Sequence, residues 1–156
     1  MAHNKDSEAK VLASIREIYA EKVPFNKVLG LDVVSLAGDS PVLRFSMRPE
    51  LVGNYLRVNL HGGVISAVID TCGSLTACLG LVKKLRDEPI EERLRRFARI
   101  GTIDMRVDYL RPGLGRWFEA KGYILRTGNK VAVTRMELYN DTGELIAIGT
   151  GAYTVA

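Results

Sequence analysis

The stretch from His61 to about Val82 constrains this chain more than any other. Val64, Ile65, Ala67, Val68, Ile69, Leu75, Ala77, Leu79 and Leu81 make it apolar nearly all round a helical projection. Such a helix must be buried, and the sequence downstream offers something to bury it. Segments 99–110, 115–126, 130–140 and 144–155 are rich in β-formers and separated by Pro112-Gly113, Gly128-Asn129 and Asp141-Thr142-Gly143. Turns this short predict antiparallel neighbours. The fold class expected is α+β, an antiparallel sheet wrapped around one long buried helix.

Upstream, residues 6–20 set Val11, Leu12, Ile15, Ile18 and Tyr19 at helical spacing, with Asp6 or Ser7 as the cap. A short turn over Pro24–Leu29 ends at Gly30, and two strands, LDVVSL and Pro41–Met47, form a hairpin around Gly38-Asp39-Ser40. At 156 residues, this reads as one domain over 31–156 with a helical extension over 1–30. The 47% hydrophobic and 26% charged composition is globular. No apolar run is taken to reach the roughly 20 residues of a membrane span. The first residues lack a signal-peptide pattern, which predicts a cytoplasmic protein. Cys72 and Cys78 read as core thiols, since their spacing fits neither a zinc site nor a disulfide framework.

Net charge is +4, partly from a basic cluster over Lys83–Arg99 that also holds four acids. It reads either as a solvated loop or short helix, or as an electrostatic guide for an anionic substrate. No aromatics interleave with the basic residues, so nucleic acid is not an expected partner.

The polar and small residues of the apolar helix are not scattered. Gly62, Gly63, Ser66, Asp70, Gly73 and Ser74 recur every three or four residues and share one face. An ionised carboxylate in apolar surroundings is costly, so Asp70 is a candidate functional group, the alternative being a structural acid satisfied by Ser66, Ser74 or amides. Gly62-Gly63 opens the helix, where amides without intrahelical partners and the dipole's positive end can hold an oxyanion. The alternative there is a capping turn satisfied by His61 or Asn59, and His61 itself reads more readily as a hydrogen-bonder than as a base. The step from Gly62 or Gly63 to Asp70 spans roughly 10 to 12 Å at about 1.5 Å per residue. A base and an oxyanion donor must both lie within about 3 Å of the reacting group or its water. One helix cannot serve both roles at one carbonyl, which predicts a two-fold dimer with composite sites, alone or within a tetramer.

NLHGGVISAVID, followed by IDMRVDYLRPG, resembles the hotdog-fold acyl-CoA thioesterases of the phenylacetic-acid-degradation type over roughly residues 30–155. The resemblance implies that Asp70 is general base or nucleophile and that the Gly62 amide polarises the thioester carbonyl. It also implies that Thr102 positions water, with an ordinary β-former as the alternative. Asn54, or else Asn59, is the counterpart of the family's loop Asn. Asp70 and Thr102 would come from one subunit, Gly62 and Asn54 from the other. No cofactor is expected, CoA being part of the substrate, and Arg111, Arg126 and Lys130 near strand ends are candidates for its phosphates. Ala67, Cys72, Leu75, Tyr55 and Met105 are candidate lining for the acyl chain. Two other readings use the same fold: a non-catalytic acyl-CoA sensor, and an acyl-thioester dehydratase or hydratase. The second is disfavoured by the spacing of His61 and Asp70.

Overall fold

The computed structural model describes residues 2–156, with side chains from Glu8 onward. In chain order it comprises α1 (Ala2–Glu17), one π-helical turn (Ile18–Lys22), α2 (Pro24–Leu29), β1 (Asp32–Ser35) and β2 (Val42–Ser46). A 3-10 turn (Pro49–Leu51), β3 (Val52–Asn54), β4 (Asn59–Leu60), α3 (Gly62–Lys84) and α4 (Ile90–Phe97) follow, then β5 (Gly101–Tyr109), β6 (Trp117–Thr127), β7 (Val131–Asn140) and β8 (Leu145–Thr154). Six strands make one antiparallel sheet in the order β1-β2-β6-β7-β8-β5, and α3 packs on its inner face. This is the hotdog arrangement.

The hairpin around Gly38 forms as expected, and so do the β6-β7 and β7-β8 turns. The Pro112-Gly113 turn does not join neighbours. Both edges of β6 are taken, by β2 and β7, so β5 pairs with β8 at the rim. The connecting segment crosses the end of the sheet instead, held by Leu110 and Arg111 amides on the Ile146 carbonyl and by the Leu60 amide on the Gly113 carbonyl. The β3-β4 pair was not foreseen, because strands of three and two residues carry no periodicity to read.

Inward residues of β7 are buried in strict alternation, as are those of β6 up to Gly122 and of β8 from Ala147 onward, and they meet Val68, Ile69, Cys72 and Leu75 of α3, all inaccessible to solvent. The helix sits unusually close to the strands. A Cβ built on Gly122 would lie 1.8 Å from the Thr76 hydroxyl oxygen, and one on Gly80 would lie 2.4 Å from that of Thr127. At 23 residues and mean hydropathy 1.7, α3 is long and apolar enough to cross a membrane, contrary to the sequence expectation, but two thirds of its most apolar window is buried inside the fold.

The N-terminal helix is longer than expected. It starts at Ala2, so Asp6 and Ser7 lie inside it rather than at its cap, and their side chains fall outside the described residues. Val11 and Ile15 enter the main core, each 1% exposed, and Arg16 donates to the Val33 carbonyl of β1. The charged connection resolves into α4. Lys84, the last residue of α3, and Arg96 of α4 tie down the Gly128 and Val155 carbonyls, while Arg93 is fully buried with Nε donating to the Leu85 carbonyl, 2.7 Å away at the C-terminal end of α3. A buried cation is favoured there by the helix dipole.

The close seating of α3 generates a stability test. Gly122→Ala should cost about 1 to 3 kcal/mol, the range for overpacking a full core. Adding Thr76→Ala should return much of that loss, because the atoms in conflict are removed. Urea midpoints of the two singles and the double decide it: strictly additive losses would mean that the clash is relieved elsewhere.

Candidate active site

At the start of α3, His61 adopts extended backbone (φ −64°, ψ 135°) and its Nδ1 accepts the Gly63 amide at 2.8 Å. The neutral ring therefore carries its hydrogen on Nε2. His61 thus caps the helix, as its structural alternative supposed. Gly63, the second glycine of the motif, has its amide occupied by that cap. The Gly62 amide, by contrast, donates to no protein acceptor among the described residues. Tyr109 lies against it, its hydroxyl donating to the Gly62 carbonyl at 3.2 Å.

The β3-β4 hairpin sits over this helix start, with Gly53 so near that a Cβ would fall 2.5 Å from the His61 Cα. Asn54 Oδ1 accepts the amides of Leu56 and Arg57 at 3.1 and 3.2 Å, which folds the loop and leaves the side-chain NH2 group outward. Asn59 Nδ2 donates to the Leu60 carbonyl, so Asn59 does not cap α3. Gly62, Tyr109 and Arg111 line a depression of about 370 Å³.

Asp70 lies two turns further along. It is half-buried, and neither Ser66 nor Ser74 holds it. Thr102 donates to Asp70 Oδ1 at 2.8 Å and the Tyr153 hydroxyl donates to the same oxygen at 3.2 Å. A β-bulge brings Thr102 there. Thr102 pairs with Tyr153 and Asp104 with Ala152, so Ile103 is the extra residue and the inward parity changes across it. Without the bulge, Thr102 would point outward with Asp104 and Arg106. Tyr153 was missed in the sequence, where it reads as one more inward aromatic on a strand. The signal was Gly73: a Cβ there would lie 2.1 Å from the Tyr153 hydroxyl, so the glycine exists to admit it. Burial first, then the charge of Asp70, raises the Tyr153 pKa, keeping it a neutral donor.

Asp70 and Thr102 stand at the wall of a cavity of about 560 Å³, separate from the depression at Gly62. Its α3 lining is Thr71, Ser74 and Cys78, not the predicted Cys72 and Leu75, which turn towards the sheet and are fully buried. Ala67 and Met105 pack against the core, and Tyr55 is 83% exposed on the β3-β4 loop beside a different hollow. Of the predicted basic residues, Arg111 shares the Gly62 depression and pairs with Glu144 at 3.3 Å. Arg126 and Lys130 are exposed at the far end of the sheet, the end at which Thr102 lies: Arg126 shares the row of Asp104, and Lys130 stands just before Val131, in the row of Gly101. One chain does not gather the three.

What the geometry offers is a carboxylate held by two hydroxyls beside an apolar hollow and, about 12 Å along the same helix, an open amide at the dipole's positive end. Comparison with known proteins places that layout in one class. The chain belongs to the thioesterase superfamily, whose model matches residues 59–147, and it is a thioester hydrolase of hotdog fold. It is 41% identical over 147 residues, 94% of each chain, to the Escherichia coli K12 protein named medium/long-chain acyl-CoA thioesterase YigI. Among solved structures it is similar to a Shewanella oneidensis protein related to the thioesterase superfamily (TM-score 0.92, 48% identity, 96% of this chain and 97% of that one). A mutant of the phenylacetic acid degradation protein PaaI from Thermus thermophilus is more distant (TM-score 0.65, 26% identity, 86% and 100%). The expected phenylacetic-acid-degradation subtype is thus supported only loosely.

Burial pushes both Cys72 and Cys78 up to about 12. At pH 8 that leaves about one thiol in ten thousand ionised, against roughly a quarter for a free cysteine. Native protein should give no fast reaction with Ellman's reagent, and two thiols should appear in denaturant. A fast native thiol would show that the cavity wall at Cys78 opens readily to solvent.

Proposed function

We propose that this chain hydrolyses acyl-CoA thioesters to free acid and CoA, with Asp70 as base or nucleophile and the Gly62 amide as oxyanion donor. The observation that carries the reading is the Asp70 carboxylate, fixed by Thr102 and Tyr153 at the mouth of an apolar cavity. The name of the Escherichia coli relative supports CoA as the thiol and a medium or long acyl chain. Attack on the thioester places charge on the carbonyl oxygen, and an unpaired amide at a helix start is the group to meet it. Asp70 either takes a proton from water or adds to the carbonyl itself. The Thr102 hydroxyl lies where it can orient the water, and Tyr153 keeps the carboxylate turned towards the cavity. The departing thiolate belongs to a thiol with pKa near 8.5, so no strong acid is needed.

Asp70 and Gly62 of one chain open into different hollows, which favours a dimer in which each site takes one from each copy. The free edge of β5 suits the pairing. Asp104, Arg106 and Asp108 alternate along its outer side, and a two-fold axis at Met105 would set each Asp104 across from the other copy's Arg106. In such a dimer Arg111 from the Gly62 side, with Arg126 and Lys130 from the Asp70 side, would meet the CoA phosphates. The Asn54 side-chain NH2 group would reach the site from the Gly62 side.

Asp70→Asn should lower kcat by at least about 10²-fold. Gly62→Pro is the matching deletion of a single amide. Proline is accepted at the first helical position, and the extended His61 backbone is what a following proline requires. It should cost about 10² to 10³ in kcat with the fold intact. Mixing the two inactive variants and letting subunits exchange should restore about a quarter of wild-type activity, since half the dimers then hold one intact composite site. No recovery despite exchange would mean that the sites are not shared. Acyl-CoA binding without turnover by wild type would favour the sensor reading.

A further inference from the structure

We infer that the N-terminal segment and α4 form the sleeve that measures the acyl chain, the tail entering beside Asp70 and running along α3 towards Cys78. This rests on the acyl-CoA reading above and names the part of the molecule that sets its chain-length preference. Among the described residues that line the cavity at Asp70, Asp70 itself is the only charged one, with Thr102 beside it. From there α3 offers Thr71, Ser74 and Cys78, a stripe that advances about 12 Å between Asp70 and Cys78 at helical rise. Ile15 and Ile18 face it from the N-terminal helix and π-helical turn, and Leu94 and Phe97 from α4.

The polar groups in this wall are already satisfied among themselves. Tyr19 and Ser74 share a hydrogen bond of 2.8 Å across the gap between the π-helical turn and α3. The wider turn, closed by the Val23 amide on the Ile18 carbonyl at 3.1 Å, leaves the Tyr19 carbonyl for the buried Asn26 side chain, which donates to it at 2.9 Å. Thr71 returns its hydroxyl to the Ala67 carbonyl. A guest beyond Asp70 therefore meets a surface with its hydrogen bonds spent, which suits methylenes and not a polar acyl group. The Tyr19–Ser74 bond also pins the N-terminal segment in place. Ile15, Ile18 and Tyr19 all lie before residues 59–147, so this wall stands outside the part of the chain that the family model matches.

The test is the profile of kcat/KM for the full-length protein over saturated acyl-CoAs from butyryl to palmitoyl. Each sheltered methylene should raise kcat/KM about fourfold until the sleeve is filled, after which the curve levels. Cys78→Met directs two more heavy atoms into the void. It should bring the levelling point about two methylenes earlier and cut the long-to-short ratio by about fifteenfold. Leu94→Ala should shift the same point towards longer chains. Misfolding cannot move the ratio in opposite directions, so the pair separates shape from damage. Leu125→Ala, exposed on the outer side of the sheet, should leave the ratio alone. Active wild type with no shift in either variant would overturn the sleeve and leave the hydrolase reading standing. Inert wild type would remove the hydrolase reading, and the sleeve would then be judged on the same ratio read as calorimetric affinity, with no shift again overturning it.

Discussion

The seating of α3 on the inner face of the sheet is the contact on which the rest of the structure depends. It is drawn tight from both sides by residues without side chains: Gly73 and Gly80 on the helix, Gly122 on the strands. Interiors pack at crystal-like density, so a separation set this short propagates. It lets the Tyr153 hydroxyl reach over the helix backbone to the Asp70 carboxylate, and it puts Thr76 where no larger residue than glycine fits opposite. It also fixes which stripe of α3 turns away from the sheet, leaving Asp70, Thr71, Ser74 and Cys78 to face the outer helices.

Two kinds of order meet along that helix. Towards the sheet the contacts are mostly apolar, with the Thr76 hydroxyl turned back onto the Cys72 carbonyl of its own helix. Away from it nearly every polar group has a single defined partner: His61 on the Gly63 amide, Thr102 and Tyr153 on Asp70, Tyr19 on Ser74, Asn26 on the Tyr19 carbonyl. The Gly62 amide stands out against this background because none of the described residues takes it. A group left open among satisfied neighbours at the positive end of a dipole is where an incoming anionic oxygen gains most.

The main plan could be read from the sequence because it is carried by long periodic segments. A helix apolar on all sides and strands of nine to eleven residues leave little choice of layer. Asp70, Gly62 and His61 were legible for a related reason, being polar or minimal residues in a setting that penalises both. Thr102 came from resemblance alone, since a one-residue bulge decides which way it faces and no period announces it. Tyr153 was hidden by its ordinariness as an inward aromatic. The β5-β6 adjacency failed because a Pro-Gly turn reports a local reversal and says nothing about edges already occupied by β2 and β7. The cavity was misassigned to Cys72 and Leu75 because burial alone does not tell the sheet side of a helix from the side that faces other helices.

The bulge at Ile103 has a consequence for how such a chain can change over generations. On one side of it the inward positions, Met105, Val107 and Tyr109, are tied to the core and to the helix start. On the other side Thr102 answers only to Asp70 and the cavity. Because the parity of the strand is reset between them, variation at 102 is uncoupled from the register that holds β5 to β8. A lineage can therefore exchange the hydroxyl beside the carboxylate for another group while every pairing from Asp104 onward stays as it was, so the site can drift in chemistry on a strand that does not drift in architecture.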